Sequence, residues 1–286
     1  MSFEPWDGRD IVATVRVVPV GVNRFLSTVG QRNINGQLFG GQALGLSLQA
    51  ACETVDNRLP HMLSGQFVRP ARVNAPVEIM VERVFDGGAF ASRRVVLVQD
   101  GLGVFYAHAS FQLDMPGTEH APAAPAVPPP DSCPPLEQSL ERLAATLSAG
   151  ARRRTRPPPS IEVRPIDAEQ YLRDPQATYR RRAWVRCPGA ASAPVSTHHA
   201  LLAYLSDYWL AETGATAHET RDGVDFGMAS LNQAMWFYRP FRVDQWMLVD
   251  CDSPTAQHGR ATGRADIFAD GALVASAVQE VMMRPK

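Results

Sequence analysis

The 286-residue chain is predicted to be an α+β protein in which one helix-and-sheet unit occurs twice. Three observations carry that expectation: an ungapped internal repeat, a long apolar helical stretch in each half, and strand-like runs separated by Asp-Gly turns. A shift of 170 in numbering lays Phe67, Arg69, Pro70, Arg72 and Val73 on Phe237, Arg239, Pro240, Arg242 and Val243. In the same register Ala91 meets Ala261, Arg94 meets Arg264, and Asp100-Gly101 meets Asp270-Gly271. Val104 and Ala107 continue onto Val274 and Ala277. A register kept through a turn signal marks one supersecondary unit present twice.

Taken in order, Ile11 to Pro19 reads as a strand. Gly40-Gly41 then opens an apolar stretch, Gln42 to Val55, with apolar or small residues on every side, the mark of a buried helix. Strands are expected over Met62 to Arg69, Val77 to Phe85, Phe90 to Gln99 and Val104 to Leu113. Asp86-Gly87-Gly88 and Asp100-Gly101 supply the hairpin turns. Composition then shifts: Pro and Ala dominate 121–135, an amphipathic stretch runs from Leu136 to Ser148, and Arg152-Arg153-Arg154 precedes Pro157-Pro158-Pro159. This reads as a linker carrying one short helix, with the arginines forming a solvated basic patch. The second half repeats the order: a strand at Ile161 to Arg164, a helix from about His199 to Thr213, and strands near 228–238, 245–252, 258–268 and 272–283. One buried helix wrapped by an antiparallel sheet is an α+β layer arrangement. The domain plan is an N-terminal domain over 1–114, a linker over 115–160 and a C-terminal domain over 161–286.

Composition limits the function. A net charge of -1 gives no basic field to gather DNA or RNA. Cys52, Cys133, Cys187 and Cys251 form no CxxC pair, so free thiols are expected and a zinc site is not. His198-His199 are adjacent, point about 100° apart on a helix, and read as a polar cap rather than as a metal pair. No apolar run approaches the roughly 20 residues of a membrane span. Met1 to Asp10 lacks the order of a signal peptide, and Arg284-Pro285-Lys286 is not a peroxisomal address. A cytoplasmic location is expected.

Four motifs resemble the type II acyl-CoA thioesterases, the TesB-like family. They are Phe39-Gly40-Gly41-Gln42, Phe67-Val68-Arg69-Pro70, Met235-Trp236-Phe237-Tyr238-Arg239-Pro240, and Val274-Ala275-Ser276-Ala277-Val278-Gln279-Glu280. The ordered set spans nearly the whole chain. The resemblance implies a double hotdog, two antiparallel sheets each wrapped around its own helix. It also implies hydrolysis of fatty acyl-CoA, without cofactor or metal, by an Asp, a Ser or Thr and a Gln that hold the attacking water. A homo-oligomer of two or four chains is implied as well. Carried over by position, the three catalytic residues are Asp207, Ser230 and Gln279. One departure stands beside them: Asn232-Gln233 occupies the place where the family usually has Asp-His.

The residues themselves give some of this support. Asp207 is the one formally charged residue between His198 and Ala211, and an ionised carboxylate in an apolar helix needs partners. Gln279 shares a strand face, by period-two alternation, with Leu273, Ala275, Ala277, Val281 and Met283. As the lone polar side chain of that row, it needs partners for both ends of its amide. Ser230 opens its strand and is unremarkable alone. Position 279 corresponds to Ala109 in the first half, and the first helix, Gln42 to Cys52, holds no carboxylate. One site per chain is therefore expected, the N-terminal half supplying cavity wall. Gly40-Gly41 suits either an oxyanion arrangement or close packing of the helix against the sheet, and Arg69 and Arg239 are candidates for CoA phosphates. Two rivals remain. A hotdog hydratase would carry an Asp-x-Asn-Pro-x-His motif, which is absent; a weak acyl-CoA binder is kept open by Asn232-Gln233.

Overall fold

A computed structural model describes residues 3–147, 151–152 and 156–286. The chain divides into two compact units, and the division does not follow the chain halves. The first comprises Met1–His120, Ser192–Ser206 and Asn232–Tyr238; the second Ala121–Ala191, Asp207–Leu231 and Arg239–Lys286.

In the first unit, β1 (Glu4–Pro5) pairs in parallel with β4 (Val29–Gly30). The main antiparallel sheet orders β2 (Val17–Gly21), β3 (Arg24–Ser27), β6 (Glu78–Asp86), β7 (Phe90–Gln99), β8 (Leu102–Gln112) and β5 (Leu59–Phe67). Residues 232–236 of β11 (Phe226–Phe237) pair with β5. Helix α1 (Gly40–Cys52) buries Leu44, Leu46, Leu48 and Ala50 completely, as its all-round apolar pattern predicts. Against α1 packs a later helix of the chain, Val195–Ser206. Gly41 and Gly45, one helical turn apart, make that approach possible. A Cβ on Gly41 would overlap the Tyr204 carbonyl oxygen, and one on Gly45 would lie 3.0 Å from the Ala200 carbonyl oxygen. The glycine pair therefore serves close packing of helix on helix.

The second unit holds the short α2 (Leu136–Leu143) and α3 (Ala168–Leu172) ahead of the helix just described, which becomes α4. Its strands run β11, β14 (Ala272–Pro285), β13 (Arg260–Ala269), β12 (Met247–Gln257), β10 (Arg180–Arg186), β9 (Glu162–Pro165). Two further short helices, α5 (Leu210–Thr213) and α6 (Thr216–Asp222), belong to it. The segment after residue 120 contributes to this core: Leu136 and Leu140 are buried, and α2 packs on α3 and β9. The helix expected over Leu136 to Ser148 stops at Leu143, followed by a 3-10 turn at Ala144–Thr146. Ser148 lies outside the described residues, as do Arg153 and Arg154; Arg152 donates to the Ala144 carbonyl at 3.1 Å.

The repeat is visible in the turns. Asp100-Gly101 and Asp270-Gly271 all have positive φ, 53° and 75° in the first pair, 49° and 78° in the second. Two consecutive left-handed residues match the right-handed strand twist, which is why Asp-Gly stands in both two-residue hairpin loops.

Three expectations need correction. Ile11–Thr14 is a 3-10 turn, because the Asp10 side chain accepts from the Val12 and Ala13 amides; only Val17–Gly21 is strand. The second long helix starts at Val195, after Pro194, whose carbonyl accepts from the Thr197 and His198 amides. It ends at Ser206, so Asp207 sits just beyond it rather than within it. The early start also places His198 and His199 in the first turns of α4, buried, not as a solvated cap. Strand β10 escaped sequence reading because arginines occupy its outer face; Arg180 and Arg182 both pair there with Asp250.

His199 gives the fold a pH dependence. Its Nδ1–H donates to the Val195 carbonyl at 2.9 Å, and its ring meets Phe237 edge-on. Burial draws its pKa down to about 4, helped by neighbouring His198 and opposed by the Val195 bond. The unfolded chain, with an ordinary imidazole near 6.5, therefore binds the extra proton first. The stabilisation is present above about pH 6.5 and is lost as pH falls towards 4, up to about 3 kcal/mol for this group. Urea unfolding of wild type at pH 7 and pH 4.5, set beside His199→Leu, checks this: the variant is expected to show a shallower loss. An identical loss in both proteins refutes it.

Candidate active site

Asp207 is positioned by the end of α4, Ser230 by β11 and Gln279 by β14. The three lie 23 and 72 positions apart and meet in one hydrogen-bonded triangle. The Ser230 hydroxyl donates to Asp207 Oδ1 at 2.8 Å. The Gln279 amide Nε2 donates to the same oxygen at 2.5 Å and approaches Ser230 Oγ at 3.2 Å. Asp207 is 7% exposed and Gln279 fully buried, while Ser230 is half-buried. The carboxylate, removed from water, thus has a hydroxyl and an amide donor aimed at one of its oxygens.

The strand faces explain how the side chains converge. On β14, Ala275, Ala277, Gln279, Val281 and Met283 all point inward, as alternation predicts. Leu273 does not share that face fully: the ladder with β13 shifts between Ile267 and Phe268, which buries Val274 and leaves Leu273 half-buried. Strand β11 has its own irregularity. Inward positions are even up to Met228 and odd from Gln233, so alternation slips between Ser230 and Gln233. Both residues can then face inward from one strand.

Of the pair that departs from the family pattern, Asn232 is exposed and Gln233 is 2% exposed. The Gln233 amide donates to Ser206 Oγ at 2.6 Å, and Ser206 in turn donates to the Ala203 carbonyl at 2.7 Å. Sequence reasoning missed this bond; the slipped alternation of β11 was the signal for it. Of the CoA-phosphate candidates, Arg69 spends one guanidinium nitrogen on the Gly103 carbonyl at 2.8 Å. Among the described residues no group of three His, Cys, Asp or Glu side chains could hold a metal, and the four cysteines are free.

Duplication, paired Asp-Gly hairpins and antiparallel strands with helices in each unit define a double hotdog. Comparison with known proteins narrows the class. Residues 28–112 match the acyl-CoA thioesterase N-terminal domain and residues 119–283 the acyl-CoA thioesterase C-terminal domain. Acyl-coenzyme A thioesterase 8 of Mus musculus is 33% identical over 260 residues, 87% of this chain and 81% of its own length. Acyl-CoA thioesterase 2 of Haemophilus influenzae is 28% identical over 256 residues, 87% of this chain and 88% of its own. Among solved structures, the acyl-CoA thioesterase II TesB2 from Mycobacterium marinum superposes with a TM-score of 0.77 at 33% identity, over 96% of this chain and 98% of that one. The chain belongs to the acyl-CoA thioesterase family.

Proposed function

We propose that the protein hydrolyses fatty acyl-CoA to free fatty acid and CoA at a single site in its C-terminal domain, 161–286. The observation that carries this reading is the triangle itself, since three residues distant in sequence meet around one buried carboxylate oxygen. Asp207 acts as general base on a water positioned by Ser230 and Gln279. The water oxygen bonds to the thioester carbonyl carbon as its proton passes to Asp207. Collapse of the tetrahedral intermediate breaks the carbon–sulfur bond, and the proton held by Asp207 goes to the departing CoA sulfur. A general base of this kind is worth ~10²–10⁴ in rate. A covalent acyl-Ser230 route is disfavoured because no imidazole belongs to the triangle to activate the hydroxyl.

The same reading makes the protein a cytoplasmic homo-oligomer of two or four chains that uses no cofactor, metal or nucleic acid. The family resemblance supports the assembly, and the net charge of -1 speaks against polyanion partners. Among the described residues no helix is long and apolar enough to cross a membrane.

Thiol release from decanoyl-CoA, run beside hydration of crotonyl-CoA, separates this reading from its rivals. Release without hydration is expected. Binding without turnover would instead favour a weak acyl-CoA binder, and hydration would favour the hydratase. Ser230 provides a finer check. Ser230→Ala removes one donor to Asp207 and one anchor of the water, and is expected to lower kcat about 10- to 100-fold, the scale of one oriented polar group. Ser230→Thr keeps the hydroxyl and is expected to stay within a few-fold of wild type. Equal kcat for Ala and wild type would remove Ser230 from the mechanism.

A further inference from the structure

We propose that Gly263 is a positioning residue for the triangle: the side chain it lacks is what lets the segment from Asp207 to Leu210 settle above Gln279. The proposal rests on the reading of Asp207, Ser230 and Gln279 as the catalytic group. Gly263 of β13 is the direct cross-strand partner of Gln279 on β14. A Cβ built on Gly263 would overlap the Leu210 carbonyl oxygen, and would lie 3.0 Å from the Leu210 carbonyl carbon and 3.3 Å from its Cα. The obstructing atoms are backbone, so no rotamer change relieves them. Leu210 is fully buried and opens α5, two residues after Tyr208 and three after Asp207. Any side chain at 263 therefore lifts the start of α5 and the Asp207 segment joined to it.

The other end of α5 is seated in the same way. A Cβ on Gly214 would lie 2.6 Å from Ala261 Cβ and 3.1 Å from Ser253 Oγ. Two missing side chains, one below the helix on β13 and one on the chain leaving it, fix its height on the strand at both ends. Neither requirement is conformational at Gly263, whose backbone is not left-handed; there Ala suits a strand better than Gly does.

The repeat supplies an internal control. Subtracting 170 from 263 and 279 gives 93 and 109, and Arg93 and Ala109 are likewise direct cross-strand partners, on β7 and β8. There the position opposite Ala109 carries a large side chain, which runs beneath the residues following α1 and bonds Thr54 Oγ1 at 2.8 Å and the Thr54 carbonyl at 3.0 Å. The first carboxylate after α1, Glu53, is exposed and takes a bond from Gln49. So the unit with a side chain at this position has no buried carboxylate beside it, and the unit with glycine has one.

The test compares Gly263→Ala with wild type. The expected result is a folded protein whose kcat for acyl-CoA falls at least tenfold while KM changes less than threefold, because the reacting groups move and the acyl-binding surface does not. Crystal structures of wild type and variant, solved side by side, are expected to show the hydrogen bond from Gln279 Nε2 to Asp207 Oδ1 longer in the variant than in wild type. An unchanged separation overturns the proposal whatever the activity, so its failure is distinct from failure of the thioesterase reading. If Gly263→Ala does not fold, Gly214→Ala tests the same seat from the other end, where the obstacle is a side chain. It is expected to lower kcat, and the double variant Gly214→Ala with Ala261→Gly, which restores the space, is expected to recover it. Wild-type kcat in Gly214→Ala, or no recovery in the double variant, counts against the seat.

Discussion

Asp207→Asn is expected to lower kcat for acyl-CoA hydrolysis at least a hundredfold while shifting the unfolding midpoint very little. Asparagine keeps the size of the side chain and a carbonyl oxygen able to accept from Ser230 and Gln279 where Oδ1 does now. What it loses is the capacity to take a proton from water, and with it the general-base contribution of ~10²–10⁴. Stability responds to two opposed changes. Hydrogen bonds to a charged acceptor, about 1.5–3 kcal/mol each, become neutral ones of about 0.5–1.5. Against that, the cost of holding a charge in a site only 7% exposed disappears. The difference is expected to fall within about 1 kcal/mol. Steady-state thiol release and denaturant unfolding on the same preparation check both halves of this. Near wild-type turnover would end the assignment of Asp207 as base, and a collapsed fold would show the residue to be structural first.

The largest effect on stability is expected at the other end of the repeat. Arg93 is 1% exposed, and all five of its N–H donors have acceptors. Nε bonds Thr54 Oγ1; one terminal nitrogen bonds the Phe85 and Ser92 carbonyls at 3.1 and 2.9 Å; the other bonds the Thr54 carbonyl and Asp86 Oδ1 at 2.6 Å. Arg93→Met fills much of the volume and supplies none of those donors. Asp86 is half-exposed and recovers water, so the charge pair itself contributes little to the loss. The buried Thr54 carbonyl and hydroxyl do not recover water, and an unsatisfied buried acceptor costs about 1–3 kcal/mol. With one or two such acceptors left unsatisfied, the expected loss is about 2–4 kcal/mol. Urea unfolding monitored by tryptophan fluorescence measures it; a loss below about 1 kcal/mol would mean that water reaches Thr54 when the guanidinium is gone.

The fold was legible in the sequence where the information is local. Asp-Gly at 100–101 and 270–271 is demanded by two left-handed residues in succession, and the burial of α1 by a helix with no polar face. Ile11–Thr14 was misread because a single capping side chain, Asp10, outweighs a β-branched run. β10 was missed because three of its four outer positions are arginines, and the partner of two of them, Asp250, lies 68 to 70 residues away. The site shows the same divide. Gln279 announced itself as one amide in an apolar row. Asp207 announced itself as one charge in an apolar stretch, yet its partners lie on β11 and β14, 23 and 72 positions away, and have no local signal. Ser230 carried none, and Gln233 became visible as inward-facing only through the slip in β11.

Arg93 also bears on what a second centre in the first repeat would require. Once a guanidinium with five bonds occupies the position opposite Ala109, its removal alone unfolds more than it opens. Placing glutamine at 109 alone would set an amide opposite a buried cation. For redesign, a counterpart of the Asp207 triangle in the first repeat would need glycine at 93, glutamine at 109 and a carboxylate turned inward after α1, introduced together.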